Sequence, residues 1–507
     1  MTLSDWRARL SGVDWLAPLC AAVALVVFAT RGLDGPLTRD LGLYAYAGQQ
    51  VADGVAPYVG ILNRCGPLAH LIPGVGVAAA RLVGGDDVVG MRVLFLCLSA
   101  ACVGVIYVLG RDAFRSRLAG LAAAAALLCF EGFIQLAGSG PREKSTMVLC
   151  LLLTLLAVTH RRWATAGFCI ALGTLTWQPV FPAALAATVA AALLGLSHGR
   201  LRALARVAVG GLVPAALTVA AYAAIGQFQL FLDDFLLINA RYTRQRGFLT
   251  NPEASWSRVV EGYGASTAVL VIGALALLVL SGIALWRRES LRQPGTAGVV
   301  GAGFALVAAA LWTLRAYNTW PDLFLFLPLA ALGIGGLAGE LGRRLPVRAA
   351  VVVTVAWVLV ATSMAISYSV RTRVDTLSQQ RASVAAALTV MPDARILSIE
   401  APQALVLAGR RNPYRVQLFG EGLRDYLDDT RPGGVDGYVR SVTDGIRPRL
   451  IAVGNERIGW FRARFKRSYA PVGCAPTWTW HLRRDVRPAT RAALNEALGE
   501  ACQVVEG

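Results

Sequence analysis

An arginine–aspartate pair, Arg39-Asp40, opens the stretch RDLGLYAYAGQQVADGVAPYVGILNRCGPL, which runs to Leu68 just after a first hydrophobic run. A carboxylate beside a guanidinium stays ionised and can accept a proton from a hydroxyl, so Asp40 is a candidate general base. An aspartate at the start of a helical pattern also suits an N-cap, and residue type alone favours the cap. A second polar group, GPREKS, brings Arg142, Glu143 and Lys144 together, and further arginines stand at 64, 241, 244, 246 and 315. Gathered near a membrane surface, such cations suit an anionic ligand; taken singly, they suit solvent or lipid headgroups equally well. Cys65 has no neighbouring histidine or acid to activate its thiol, which argues against a nucleophile. The four histidines, at 70, 160, 198 and 481, give no metal-ligand spacing.

The elements that must position these residues are largely lipid-soluble. The chain has 507 residues, of which 56% are hydrophobic and 16% charged, and its mean hydropathy is +0.54. That is too apolar and too long for one soluble core, and it implies a polytopic α-helical membrane protein. Eleven candidate spans cover 14–30, 88–109, 118–137, 145–159, 163–177, 180–196, 205–225, 265–286, 297–314, 321–340 and 347–368. The first follows Arg7 and Arg9 without a clear cleavage site, and reads as a retained signal anchor. With the N-terminus in the cytoplasm of a cell-membrane protein, the loops 111–117, 160–162, 198–206, 286–292 and 342–348 face inward, each short and basic. This accounts for much of the net charge of +18 and leaves nucleic acid a poor partner. The opposite, extracytoplasmic face receives the opening stretch, 138–145, 228–263, 315–322 and everything after Ser369.

Within the loop 31–87, LGLYAYAGQQVADG has one apolar and one polar face and is too short to span. It reads as a helix lying in the interface, followed by a second one interrupted at Pro73. Residues 1–371 thus form the membrane domain. From 372 to 507 the composition is soluble, with strand-like ARILSIE, RVQLF and RPRLIAV separated by helical patterns, which predicts a compact extracytoplasmic α/β domain. No Gly-rich phosphate loop follows a strand there. Cys474 and Cys502 pair if that side is oxidising; as two buried thiols they fit the spacing equally well. Glu131 lies inside the third span, where a carboxylate usually faces a cavity or a partner.

Arg39-Asp40, Tyr44, Gly48, Gly54, Pro57-Tyr58 and Gly66-Pro67-Leu68 resemble the first extracytoplasmic loop of GT-C glycosyltransferases, in the protein-mannosyltransferase and aminoarabinose-transferase branch. The resemblance is good over the first 180 residues and loose afterwards. It implies an inverting transferase that moves a sugar from a polyprenyl-phosphate carrier to a hydroxyl of an extracytoplasmic glycan, lipid or protein, with membrane lipids around it. Asp40 matches the family's base. Arg142, Lys144, Arg241, Arg244 and Arg64 then hold the carrier phosphate. Arg39, Tyr44, Tyr58, Glu143, Gln178, Asn239, Tyr242, Tyr317 and Asn318 line the substrate site. No organic cofactor is implied, and a carboxylate-bound divalent ion, as in some relatives, stays open. Where relatives carry an acid and a lysine before the Pro-Leu turn, this chain reads Asn63-Arg64-Cys65. Two other readings remain: a transporter or flippase of a lipid-linked glycan, and a non-catalytic assembly module. The lack of paired inverted halves counts against the first.

Overall fold

The computed structural model describes residues 14–243, 246–420 and 422–503, with the side chains of Glu289 and 500–503 outside that description. It is mostly helical, and the eleven candidate spans overlap helical segments, 118–137 overlapping two. The correspondence is loosest at 321–340, where a 3-10 turn, Trp320–Leu325, precedes Leu327–Arg344. Among the described residues, five helices are long and apolar enough to cross a membrane, or six if the bent pair Arg117–Cys129 and Glu131–Ala137 counts as one span. Four more apolar helices are shorter, among them Leu16–Ala29 and Val180–Gly195.

Local sequence explains where these helices start and stop. Asp86 and Ser116 cap Asp87–Phe114 and Arg117–Cys129 through their side chains, and Arg115, left-handed at φ 53°, turns the chain between them. The 71° bend falls at Phe130, and Glu131 begins the next helix with its N–H donated to Ser266 Oγ at 3.1 Å. Helices Ser266–Trp286 and Leu327–Arg344 meet backbone to backbone at Gly273 and Gly333, as small residues allow in a bilayer. Outer faces are apolar and exposed: Leu212 and Leu217 on one helix, Leu275 and Val279 on another, Val352 and Leu359 on a third. Such continuous greasy surface suits lipid, and the chain is a membrane protein.

The short basic loops meet one another. Arg111 pairs with Asp14 at 2.8 Å, His160 approaches Asp112 at 2.9 Å, and Arg161 donates to the carbonyls of Gly195 and Arg292. After Val347–Arg371 comes helix Thr376–Val390 and then a four-stranded sheet. Strands β1 (Ile396–Ile399), β2 (Leu450–Gly454), β3 (Tyr469–Ala475) and β4 (Trp478–Arg483) stand in the order β1-β2-β4-β3, with β1 parallel to β2 and the other pairs antiparallel. RVQLF, expected as a strand, is irregular, although Glu400 N–H still bonds the carbonyl of Gln417 at 2.7 Å. Cys474 is disulfide-bonded, and the side chain of Cys502 is outside the description.

Candidate functional site

Helix Arg39–Ala52 is amphipathic and largely buried, and Gly48 lets it pack against Pro73 of Leu68–Leu82. Its N-cap is Thr38, without a side-chain bond, and Asp40 does not cap. Arg39 Nε donates to Asp40 Oδ1 at 3.0 Å and Arg142 Nη1 to Oδ2 at 2.7 Å. The cap reading therefore gives way to an ion-paired carboxylate, because two guanidiniums reach it before the helix N–H groups do. Burial works to raise its pKa, but Arg142 and Arg39 outweigh it and hold the carboxyl well below the usual range.

Arg142 is the hub of this arrangement. It precedes helix Glu143–Thr159, ion-pairs with Glu143 at 3.2 Å, and lies 5.8 Å from the Tyr44 ring centroid. Lys144 ion-pairs with Asp322 and sits 4.4 Å from the centroid of the Trp177 ring, which also lines the cavity. All these groups face one cavity of about 1080 Å³. Seven basic and five acidic side chains line it, which leaves it net positive.

Of the residues singled out in the sequence, Asp40, Arg39, Tyr44, Arg64, Arg142, Glu143, Lys144, Gln178, Asn239 and Asn318 line this cavity. Two of them hold the backbone in place. The amides of Gln178 and Asn239 both donate to the Arg64 carbonyl, at 2.8 and 2.7 Å, and clamp the loop that breaks the family pattern. Gly66 fits the same clamp because a Cβ there would meet the Leu175 carbonyl oxygen at 1.9 Å. Cys65 bonds Tyr44 Oη at 3.0 Å, and burial pushes its thiol up to about 12, so it stays protonated.

Four of the expected residues do not line it. Tyr58 is fully buried against His70, Tyr222 and Phe231, with its hydroxyl on the Cys65 carbonyl; its aromatic neighbours claim the ring for packing. Tyr317 is buried beside Phe248 with its hydroxyl donated to the Ser255 carbonyl. Arg241 and Tyr242 line a second, smaller cleft, while their neighbours Asn239, Ala240 and Thr243 line the first. Arg244 lies outside the described residues.

The structure adds cavity residues the sequence did not single out. Glu400, Glu456 and Arg457 come from the region after Ser369, and Arg258 from helix Pro252–Tyr263. Arg39 Nη1 contacts Glu400 at 3.4 Å and Glu456 at 2.9 Å. A carboxylate directly following the buried strand ILSI was the available signal for Glu400, since sites collect beyond the carboxyl ends of parallel strands. Among the described residues no three histidine, cysteine or carboxylate side chains gather to hold a metal ion.

No protein-family model matches the sequence. No curated protein matches it either. Solved structures do. ArnT from Cupriavidus metallidurans in the apo state is 15% identical with a TM-score of 0.60, over 92% of this chain and 97% of that one. The same protein bound to undecaprenyl phosphate is 15% identical with a TM-score of 0.58, over 94% and 99%. At that identity the likeness carries the fold alone: this chain is folded like ArnT.

Proposed function

We propose that the protein is an inverting glycosyltransferase, taking a sugar from a polyprenyl monophosphate and placing it on a hydroxyl of an extracytoplasmic acceptor. The observation that carries this reading is the single cavity joining Asp40, Arg142 and Lys144 on an ArnT-like fold. The undecaprenyl phosphate bound to ArnT supports a polyprenyl phosphate as the lipid partner. In this reading all eleven helical segments serve as spans, including the bent pair. The basic loops face the cytoplasm, and residues 372–507 form an extracytoplasmic domain that helps to wall the cavity.

The acceptor oxygen attacks the anomeric carbon as its bond to the phosphate oxygen breaks. The proton goes to Asp40, and the bonding pair leaves with the carrier phosphate. In-line displacement sets base and phosphate on opposite sides of the sugar. A guanidinium 2.7 Å from the base is therefore better placed to orient Asp40 than to hold phosphate. Arg142 is accordingly reassigned as a positioning residue, and the phosphate falls to Lys144, Arg64 and the exposed cavity arginines Arg258 and Arg315. Having one candidate base, with no second carboxylate assigned as nucleophile, supports inversion.

The test is transfer by the purified protein from radiolabelled polyprenyl-phosphate sugars to envelope acceptors. Label reaching an acceptor supports the proposal. Label reaching none of them, together with movement of the lipid-linked glycan across vesicles, selects the flippase reading.

A further inference from the structure

The cleft that takes Arg241 and Tyr242 has a volume of about 530 Å³, within the range of small-molecule sites. It lies between the segment 233–242 and the region after Ser369, and three tyrosines line it: Tyr242, Tyr414 and Tyr426. The Arg431 guanidinium sits 5.1 Å from the Tyr414 ring centroid. Tyr242 and Tyr426 meet edge to face at 5.3 Å. Gly422 lets the backbone before helix Leu423–Thr430 pack on Tyr242, since a Cβ there would meet the Tyr242 carbonyl oxygen at 1.6 Å.

Both signs of charge are present. Arg241 and Arg431 line the cleft, but so does Asp233, and Arg415 is spent on a bidentate pair with the fully buried Asp234, at 2.8 and 3.1 Å. A phosphate or lipid headgroup would meet that carboxylate at a cost. A neutral polyol would not: its C–H faces pack on tyrosine rings while its hydroxyls bond guanidinium and carboxylate alike.

The cleft neighbours the first cavity. Leu62 lines both. Helix Leu423–Thr430 begins on the first cavity at Leu423 and presents Tyr426 and Leu427 to the second, one helical turn or about 5 Å further on. That step is close to the length of one pyranose residue.

We infer that this cleft binds the sugar residues of an oligosaccharide acceptor that lie beyond the residue receiving the transferred sugar. The assignment rests on the glycosyltransferase reading and narrows its acceptor from a glycan, lipid or protein to a saccharide chain.

The test uses the full chain in nanodiscs, with binding of radiolabelled undecaprenyl phosphate measured separately. The probes are synthetic glucan, mannan, galactan and arabinan ladders from mono- to tetrasaccharide. At least one ladder should gain about tenfold in affinity from the first to the third unit, the scale of one or two ring contacts. Tyr426→Ala and Tyr414→Ala should abolish that gain, Tyr426→Phe should keep it, and undecaprenyl phosphate binding should be unaltered in all three. Ladders without any gain, or a gain that survives both alanine variants, overturn the assignment while retained carrier binding leaves the first cavity's reading intact. Wild-type protein that fails to bind undecaprenyl phosphate overturns both.

Discussion

Asp40→Asn separates a catalytic carboxylate from a structural one. Asparagine keeps the shape and one acceptor oxygen but cannot take a proton. The substitution weakens two charge-assisted bonds, from Arg39 at 3.0 Å and Arg142 at 2.7 Å. Neither arginine is stranded, because Arg39 keeps Glu456 at 2.9 Å and Glu400 at 3.4 Å, and Arg142 keeps Glu143 at 3.2 Å. The Asp40 side chain is also 37% exposed. The stability cost is then about 1–2 kcal/mol, below the 3–5 kcal/mol that follows when a buried charge loses its only partner. Loss of a general base costs roughly 100- to 10,000-fold in turnover, or about 3–5 kcal/mol of barrier. The assay is single-turnover transfer from a radiolabelled polyprenyl-phosphate sugar, alongside thermal unfolding and undecaprenyl phosphate binding. A well-folded variant that binds the carrier and transfers within about tenfold of wild type refutes Asp40 as the base.

The remaining predictions follow from the same geometry. Asp40 has a depressed pKa, so its ionised form is the one folding favours: its contribution is full above the unfolded value of about 4 and is lost as pH falls through the lower folded value. Rate profiles between about pH 5 and 8 should show no acid limb from it, and one that vanishes in Asp40→Asn would contradict the ion pairing. Arg142→Gln should lower kcat with little change in undecaprenyl phosphate affinity, while Arg315→Ala should weaken that affinity; the reverse pattern returns Arg142 to the phosphate. Asp322→Asn should destabilise by about 3–5 kcal/mol because Lys144, only 4% exposed, loses its counter-charge, and Lys144→Met in the same chain should restore part of this in thermal unfolding. Cys65, protonated and bonded to Tyr44, should resist maleimide at pH 8 by mass spectrometry, and Cys65→Ser should retain transfer.

Much of this site could be read in the sequence because the charge pattern was informative. The charge pattern grouped Asp40, Arg64, Arg142, Lys144, Gln178 and Asn239 on the side expected to lie opposite the basic loops, and these residues do share one cavity. Residue type could not say which polar groups the fold would use up. Tyr58 and Tyr317 looked like ligand contacts, but each hydroxyl is taken by a backbone carbonyl inside an aromatic cluster. Tyr242 lies in the expected segment, yet it lines the neighbouring cleft while Asn239, Ala240 and Thr243 beside it line the first cavity. Glu400, Glu456 and Arg457 were illegible for another reason: local patterning places them in a trailing soluble region, and only long-range packing brings them to Arg39.

That last contact bears on biogenesis. Arg39 and Glu400 are 361 residues apart in the chain. At roughly 5–20 residues per second, the ribosome delivers the second about 20–70 s after the first. For that interval Arg39 has emerged but its distant counter-charges have not, and the loop after the first span must wait without them. Closing so long a loop is also a slow, late step. The cavity is therefore completed last, and a nascent chain already holding every membrane helix would still lack the carboxylates that Arg39 contacts beyond Asp40. On the proposed function, transfer would begin only once the final region has packed, which makes that packing a point where maturation can be timed.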